Sequence, residues 1–333
     1  MPRLINLTRF AAACIPSLSK HDEALAVAIV SGTFPLPAPG QASAELTREL
    51  EDQPPVRLAD VYVGAPERSS LLHEGQSTYF RPGTDIYLTG AAWAPGGRAT
   101  TDSFVAVRVG AYHKQAMVIG DRVWRAGLQP SQPAPFVSLP LVYERAFGGP
   151  GSDFNPVGRG LYGSRREAAG QPLPNFEDPR ARVDGPSSRV AACGFGPIAR
   201  HWQPRRAFAG TYDDQWVETR APLWPRDFDE RLFCAASPGL CATPHLVGGE
   251  PVQIAGMSPD GLYSFALPRP RLRARLDTGA RLERRTMVLD AVSLEPSAGV
   301  LTMIWRACFV ADPLAPGELL IRALEPWEGE HAQ

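Results

Sequence analysis

Lysine is almost missing from this chain of 333 residues: Lys20 and Lys114 are the only two, and arginine supplies the rest of its 34 basic residues. Set against 35 acidic residues the net charge is −1, which excludes a global field that would draw the chain to nucleic acid or a lipid surface. Arginine in lysine's place favours bidentate, partly buried pairing with carboxylates. No apolar run approaches the roughly 18 to 20 residues that span a bilayer, so no transmembrane helix is expected. No C-x-x-C pair occurs either. The five cysteines, Cys14, Cys193, Cys234, Cys241 and Cys308, are odd in number and irregularly spaced, which argues against a disulfide framework and for reduced thiols in a cytoplasm. Arg3, Arg9 and the small residues before Cys14 faintly resemble a lipoprotein signal, but only Phe10 to Ala13 separate Arg9 from Cys14, too short for an apolar core. Strong amphipathic helices are missing as well, Ser43 to Asp52 with Ser43 as cap being the one short candidate.

What is present favours strands and ordered loops. Hydrophobic content of 44% and charged content of 21% are those of a soluble globular protein, while 34 prolines and 31 glycines exceed the usual share. Strand signals fall at Leu25 to Phe34, Val56 to Val63, Asp85 to Trp93, Phe104 to Val109, Ala116 to Ile119 and Arg122 to Trp124. After a long interruption they return at Glu250 to Ala255, Leu262 to Leu267, Arg271 to Leu276, Thr286 to Leu294 and Val300 to Val310. The segment Thr84 to Gly96 aligns weakly with Gly249 to Gly261, strand, glycine, turn and strand in each, which suggests a pseudo-repeat. The expected architecture is mainly β: two antiparallel sandwich-like lobes, residues 1–138 and 234–333, joined by a loop-rich central region, 139–233. That region has neither a 3.6 nor a 2.0 hydrophobic period, yet its aromatic residues carry enough apolar area to pack.

Several constellations invite a chemical reading. Gly158-Arg159-Gly160-Leu161-Tyr162-Gly163 has dinucleotide-loop spacing, but neither a buried strand before it nor a helix after it, so a glycine-rich turn is expected. Gly256-Met257-Ser258 lacks the last glycine of a nucleophile elbow and sits in a Pro-Asp-Gly turn. Cys234, Cys241 and His245 lie within a dozen residues, yet no fourth ligand is apparent, so no metal and no cofactor are expected. Asp213, Asp227 and Asp229 stand near Tyr212, Trp216, Trp224 and Phe228, a setting that could serve a carbohydrate-active enzyme or carbohydrate-binding module. The plainer reading has these carboxylates accept hydrogen bonds from loop amides and pair with arginine. Arg269, Arg271, Arg273 and Arg275 alternate with apolar residues and on a strand would share one face, either as edge protection or as a dock for an acidic protein surface.

Many ordered motifs together carry a resemblance: Tyr143-Glu144-Arg145-Ala146-Phe147-Gly148-Gly149, Asn155-Pro156-Val157-Gly158-Arg159-Gly160, Leu173-Pro174-Asn175, Gly194-Phe195-Gly196-Pro197, Gly210-Thr211-Tyr212-Asp213 with Trp216, and Asp227-Phe228-Asp229. They are similar to the family called domain of unknown function 2169, and the likeness extends upstream to Ala59-Asp60-Val61-Tyr62 and downstream to Trp305-Arg306. Departures occur at Arg81, where a lysine is usual, and in Glu74-Gly75-Gln76-Ser77, which lacks an aspartate. The resemblance implies a non-catalytic cytoplasmic adaptor or chaperone of the type VI secretion system. Such a protein binds an effector and helps load it onto the spike, with a PAAR-type tip protein as a further partner. It carries over no catalytic residues. Phe147, Trp202, Tyr212 and Trp216 are the expected scaffold or anchor residues, with Tyr143, Glu144, Arg145, Asn155, Arg159, Phe195, Asp213, Asp227 and Asp229 beside them.

Overall fold

The strand Ala24–Pro35 is the axis of the molecule. Its unbroken apolar run reflects burial on both faces. Ala26, Ala28, Val30 and Phe34 face one core, and Leu25, Val27 and Ile29 face another. The computed structural model describes residues 1–41, 44–46, 49–312 and 315–324. Ala24–Pro35 pairs antiparallel along nearly its whole length with Val300–Val310, from Pro35 opposite Val300 to Leu25 opposite Val310. These two strands are inner members of a six-stranded sheet whose order is Cys241–Ala242, Thr84–Leu88, Val288–Glu295, Val300–Val310, Ala24–Pro35, Ala11–Leu18.

A second six-stranded sheet, in the order Phe176–Glu177, Tyr112–Ile119, Asp102–Val109, Pro251–Ala255, Tyr263–Ala266, Ala44–Glu45, shares the larger core. Val105, Val107, Val252, Ile254 and Phe265 join Ile86, Leu88, Val292, Met303 and Trp305 there, each fully buried large side chain contributing about 1.5–3 kcal/mol. A third, four-stranded sheet (Arg3–Asn6, Glu318–Ala323, Leu272–Asp277, Leu282–Thr286) adds Leu272, Ala274, Leu276, Leu319 and Ile321 to this core. The opposite face of the first sheet, to which Tyr87 contributes, is covered by the central-region residues Phe228, Leu232 and Phe233 together with Tyr79. Aromatic contacts order this cover: Trp224 stacks on Phe228 at 4.2 Å, and Tyr79 meets Phe233 edge-on at 5.2 Å.

The mainly β expectation holds, but the terminal segments do not form separate lobes. Both six-stranded sheets draw strands from 1–138 and from 234–333, and parallel pairing of Thr84–Leu88 with Val288–Glu295 and of Arg3–Asn6 with Glu318–Ala323 ties chain ends together. The pseudo-repeat also fails. Thr84–Leu88 lies parallel to Val288–Glu295 and antiparallel to Cys241–Ala242 in the first sheet, whereas Pro251–Ala255 runs antiparallel to both its neighbours in the second.

Local differences have local causes. Ala11–Leu18, an edge strand containing Pro16, and Arg3–Asn6 lie in what reads as a polar start. Of Val56 to Val63 only Val61–Tyr62 is strand, and Val123 and Trp124 make isolated bridges. Ser43 lies outside the described residues, and Ala44–Glu45 pairs as strand rather than helix. The short helix Asp214–Thr219 is capped by Asp213, a signal present in the sequence but swamped by the surrounding loop composition. No helix among the described residues is long and apolar enough to cross a membrane.

Candidate binding groove

The central signature builds its loops around side chains that satisfy backbone groups. Tyr143–Arg145 forms a single 3-10 turn, after which Phe147–Gly148 pairs in parallel with Arg159–Gly160. Fully buried Asn155 donates from Nδ2 to the carbonyls of Tyr143, at 2.9 Å, and Phe147, at 3.0 Å. Such local amide-to-backbone bonds replace the ladder that irregular backbone lacks. Glu144 accepts from the Ser70 amide at 2.6 Å and hydroxyl at 2.7 Å, Arg145 pairs with Asp121 at 3.0 Å, and Arg159 Nε donates to the Glu144 carbonyl at 3.1 Å. Glu144, Arg145, Asn155 and Arg159 therefore hold the loops together. Phe195 and Trp202 are buried, and Tyr143 meets Trp202 edge-on at 5.7 Å while donating its hydroxyl to the Gly196 carbonyl at 3.2 Å. A Cβ on Gly194 would lie 2.2 Å from the Tyr143 ring, so only glycine fits beneath it.

On this scaffold lies a groove of about 750 Å³. Tyr143, Phe147 and Ile198 line its buried side, while Phe154, Leu161, Tyr162 and Val190 line its accessible side, Phe154 being 59% exposed. Asp153, Arg189 and Gln203 supply sparse polar groups. An apolar hollow of this size with a few polar groups is the usual form of a binding site. Phe154 and Tyr162 were not singled out by sequence reasoning. Phe147 was, and it sits in the groove wall, whereas Trp202 supports the scaffold behind.

A second, smaller hollow of about 300 Å³ brings together Asp213, Trp216 and Asp227 with Arg220 and Arg226. Asp213 accepts from the Trp216 amide at 2.8 Å, and Asp227 accepts from the Thr211 amide at 3.0 Å and hydroxyl at 2.7 Å. Asp229 does not join them; it caps the next turn and pairs with Arg231 at 2.7 Å. Hydrogen bonds from Thr211 hold the Asp227 carboxyl below its ordinary range, and those from Arg231 do the same for Asp229. Both are thus set to accept hydrogen bonds rather than to donate a proton. Tyr212, 53% exposed, packs on Trp216 at 4.7 Å.

The four-arginine strand is only partly as expected. Arg273 and Arg275 lie within Leu272–Asp277, while Arg269 and Arg271 precede it. The register adds others to the same face: Arg284 stands opposite Arg275 and Arg322 opposite Arg273. Arg273, Arg275 and Arg284 form no ion pair among the described residues.

A buried charge cluster escaped the sequence reading. Glu74 accepts from Arg81 at 3.0 Å and from Arg205 at 2.6 Å, while Arg81 also reaches Asp85 at 2.6 Å. All four are at most 2% exposed. Burial alone would raise the Glu74 carboxyl, but Arg205, Arg81 and Arg200 outweigh it and hold it at about 2. Burial pushes the Cys193 and Cys308 thiols up to about 11, which makes them poor nucleophiles. His245 does not join Cys234 and Cys241; its Nε2 lies 3.0 Å from the Arg81 carbonyl.

The family model described as an uncharacterized protein conserved in bacteria (DUF2169) matches residues 21–306. No curated protein and no solved structure matches the chain.

Proposed function

Because the chain belongs to the DUF2169 family, and because its signature motifs build an accessible apolar groove, we propose that it is a non-catalytic adaptor that binds an effector of the type VI secretion system and helps load it onto the spike. The observation that carries this reading is the groove itself. Residues that set the scaffold, Tyr143, Asn155 and Trp202, are buried, with Asn155 Nδ2 spent on two backbone carbonyls, while Phe154 is 59% exposed on the groove wall. An exposed aromatic side chain beside an apolar hollow suits the anchoring of a partner's apolar side chains. The occupant is an apolar segment of the effector, kept from aggregating until it is delivered in the cytoplasm to the spike and its PAAR-type tip protein. The arginine-bearing sheet face offers acidic groups on the same partner a steering surface.

Coexpression with candidate effector proteins encoded at the same locus, followed by co-purification, tests the proposal. Capture is expected with the natural protein and should weaken at least about tenfold, roughly 1.4 kcal/mol, with Phe154→Asp, while thermal stability stays within about the range of ordinary surface substitutions. No complex with any effector or spike protein of the same locus would sink it. The hollow of Asp213, Trp216 and Asp227 favours a second reading, carbohydrate binding or hydrolysis. Asp227→Asn separates the two: the adaptor keeps its partner, whereas a sugar site loses its ligand.

A further inference from the structure

The fold brings Asp85 together with Cys234 and Cys241 from two distant segments of the chain. Cys241 lies directly opposite Asp85 in the antiparallel register of Cys241–Ala242 with Thr84–Leu88. Cys234 precedes Ala235, whose amide donates to Asp85 Oδ2 at 2.8 Å. The two sulfurs stand 3.4 Å apart, and one ligand atom from each of the three side chains lies within 4.8 Å of the others. The carboxylate is divided in its duties. Oδ2 accepts from Arg81, Tyr87 and Ala235, whereas Oδ1, in a fully buried residue, has no hydrogen-bond partner. A buried carboxylate oxygen left unpaired is costly and calls for a partner of its own.

We propose that Asp85, Cys234 and Cys241 form a binding site for a thiophilic divalent cation of the zinc class. A sulfur separation of 3.4 Å is much nearer the roughly 3.8 Å imposed by two zinc–sulfur bonds of about 2.3 Å at a tetrahedral centre than the roughly 2.05 Å of a disulfide. Two thiolates and a carboxylate favour zinc over magnesium or calcium, which take oxygen ligands. The charge balances too. Each thiol gives its proton to solvent as its sulfur binds, so a doubly charged ion enters with no net change beside Arg81. Arg81, bonded to Oδ2 at 2.6 Å, then orients the carboxylate while Oδ1 takes the ion. Both cysteines are half-buried, which leaves the fourth position to water. His245, the ligand suggested by sequence proximity, stays on the Arg81 carbonyl. The site ties the 234–241 loop to the edge of the first sheet, and Pro238 of that loop lines the groove.

The test uses the full chain, reduced and stripped with a chelator. Titration with Zn²⁺ by calorimetry, and with Co²⁺ by absorption, is expected to give one ion per chain and a thiolate-to-cobalt charge-transfer band. Alkylation mapped by mass spectrometry should show Zn²⁺ protecting Cys234 and Cys241 but not Cys14. Cys241→Ser, at the sheet edge, should lower zinc affinity at least about tenfold. Absence of stoichiometric uptake by the reduced natural protein overturns the proposal, as does uptake that leaves both thiols open to alkylation. A protein that forms a Cys234–Cys241 disulfide in air and takes no ion when reduced overturns it equally. Since the alkylation map is read on the natural protein, it remains decisive where Cys241→Ser fails to fold.

Discussion

Glu74 shows what one buried charge does in this protein. Its carboxyl is at most 2% exposed, accepts from Arg81 and Arg205, and faces Arg200, Tyr87 and Asp85 as well. The guanidinium groups overcome the burial penalty and lower its pKa from 4.5 to about 2. A carboxyl depressed in the folded state stabilises that state above its unfolded value, and the contribution disappears as pH falls through the folded value. Glu74 is therefore expected to contribute roughly 3 kcal/mol at neutral pH, with the loss spread below about pH 4.5. Glu74→Gln leaves Arg81 and Arg205 underpaired in a buried site and should cost about 3–5 kcal/mol. Urea denaturation over a pH series checks both: the variant should be less stable at pH 7, and its acid limb flatter. A variant as stable as the natural protein at pH 7 would show that the cluster carries no net stabilisation.

At the scale of an element, the Tyr143–Gly160 loop behaves as a unit of fixed structure although it holds only a single 3-10 turn and one two-residue strand pair. Its rigidity comes from side chains, and Asn155 is the chief of them. Replacing Asn155 with Ala removes the donors to two buried carbonyls, each expensive to leave unpaired, and should cost about 1–3 kcal/mol. Hydrogen exchange should rise mainly between residues 143 and 160, loosening the groove wall at Phe147 and Phe154, while exchange in the buried inner strand Ala24–Pro35 of the first sheet stays slow. Uniform acceleration across the chain would instead assign Asn155 to global stability. Leu282–Thr286 shows a different elementary device. It is the edge of its sheet, mostly exposed, and carries Arg284 and Arg285, charges that disfavour pairing with another chain's strand.

The whole molecule is organised by long-range pairing. Strands near residues 30, 86, 290 and 305 sit side by side in one sheet, and the central region closes that sheet's outer face. Neither terminal segment has a complete sheet of its own among the six-stranded ones. Thermal unfolding should accordingly be one cooperative transition, coincident by far- and near-ultraviolet circular dichroism, and fragments 1–138 and 234–333 should each remain unfolded when expressed alone. Two resolved transitions, or a folded fragment, would restore independent lobes.

Much of this architecture was legible locally. The apolar run at Leu25 to Phe34, the alternation at Phe104 to Val109 and Arg271 to Leu276, and the abundance of glycine and proline determine a mainly β chain with long ordered loops, because side-chain period and turn chemistry act over a few residues. The ordered motifs of 139–233 likewise mark the family. Partnership across distance was not legible. Which strands share a sheet, that Glu74 meets Arg205, that Phe154 lines a groove, and that Asp85 replaces His245 beside the two cysteines all depend on residues brought together from more than a hundred positions apart or turned by backbone that has no period. Only the tertiary structure decided these, since the free energy that selects them lies in burial and pairing between segments rather than within any one of them.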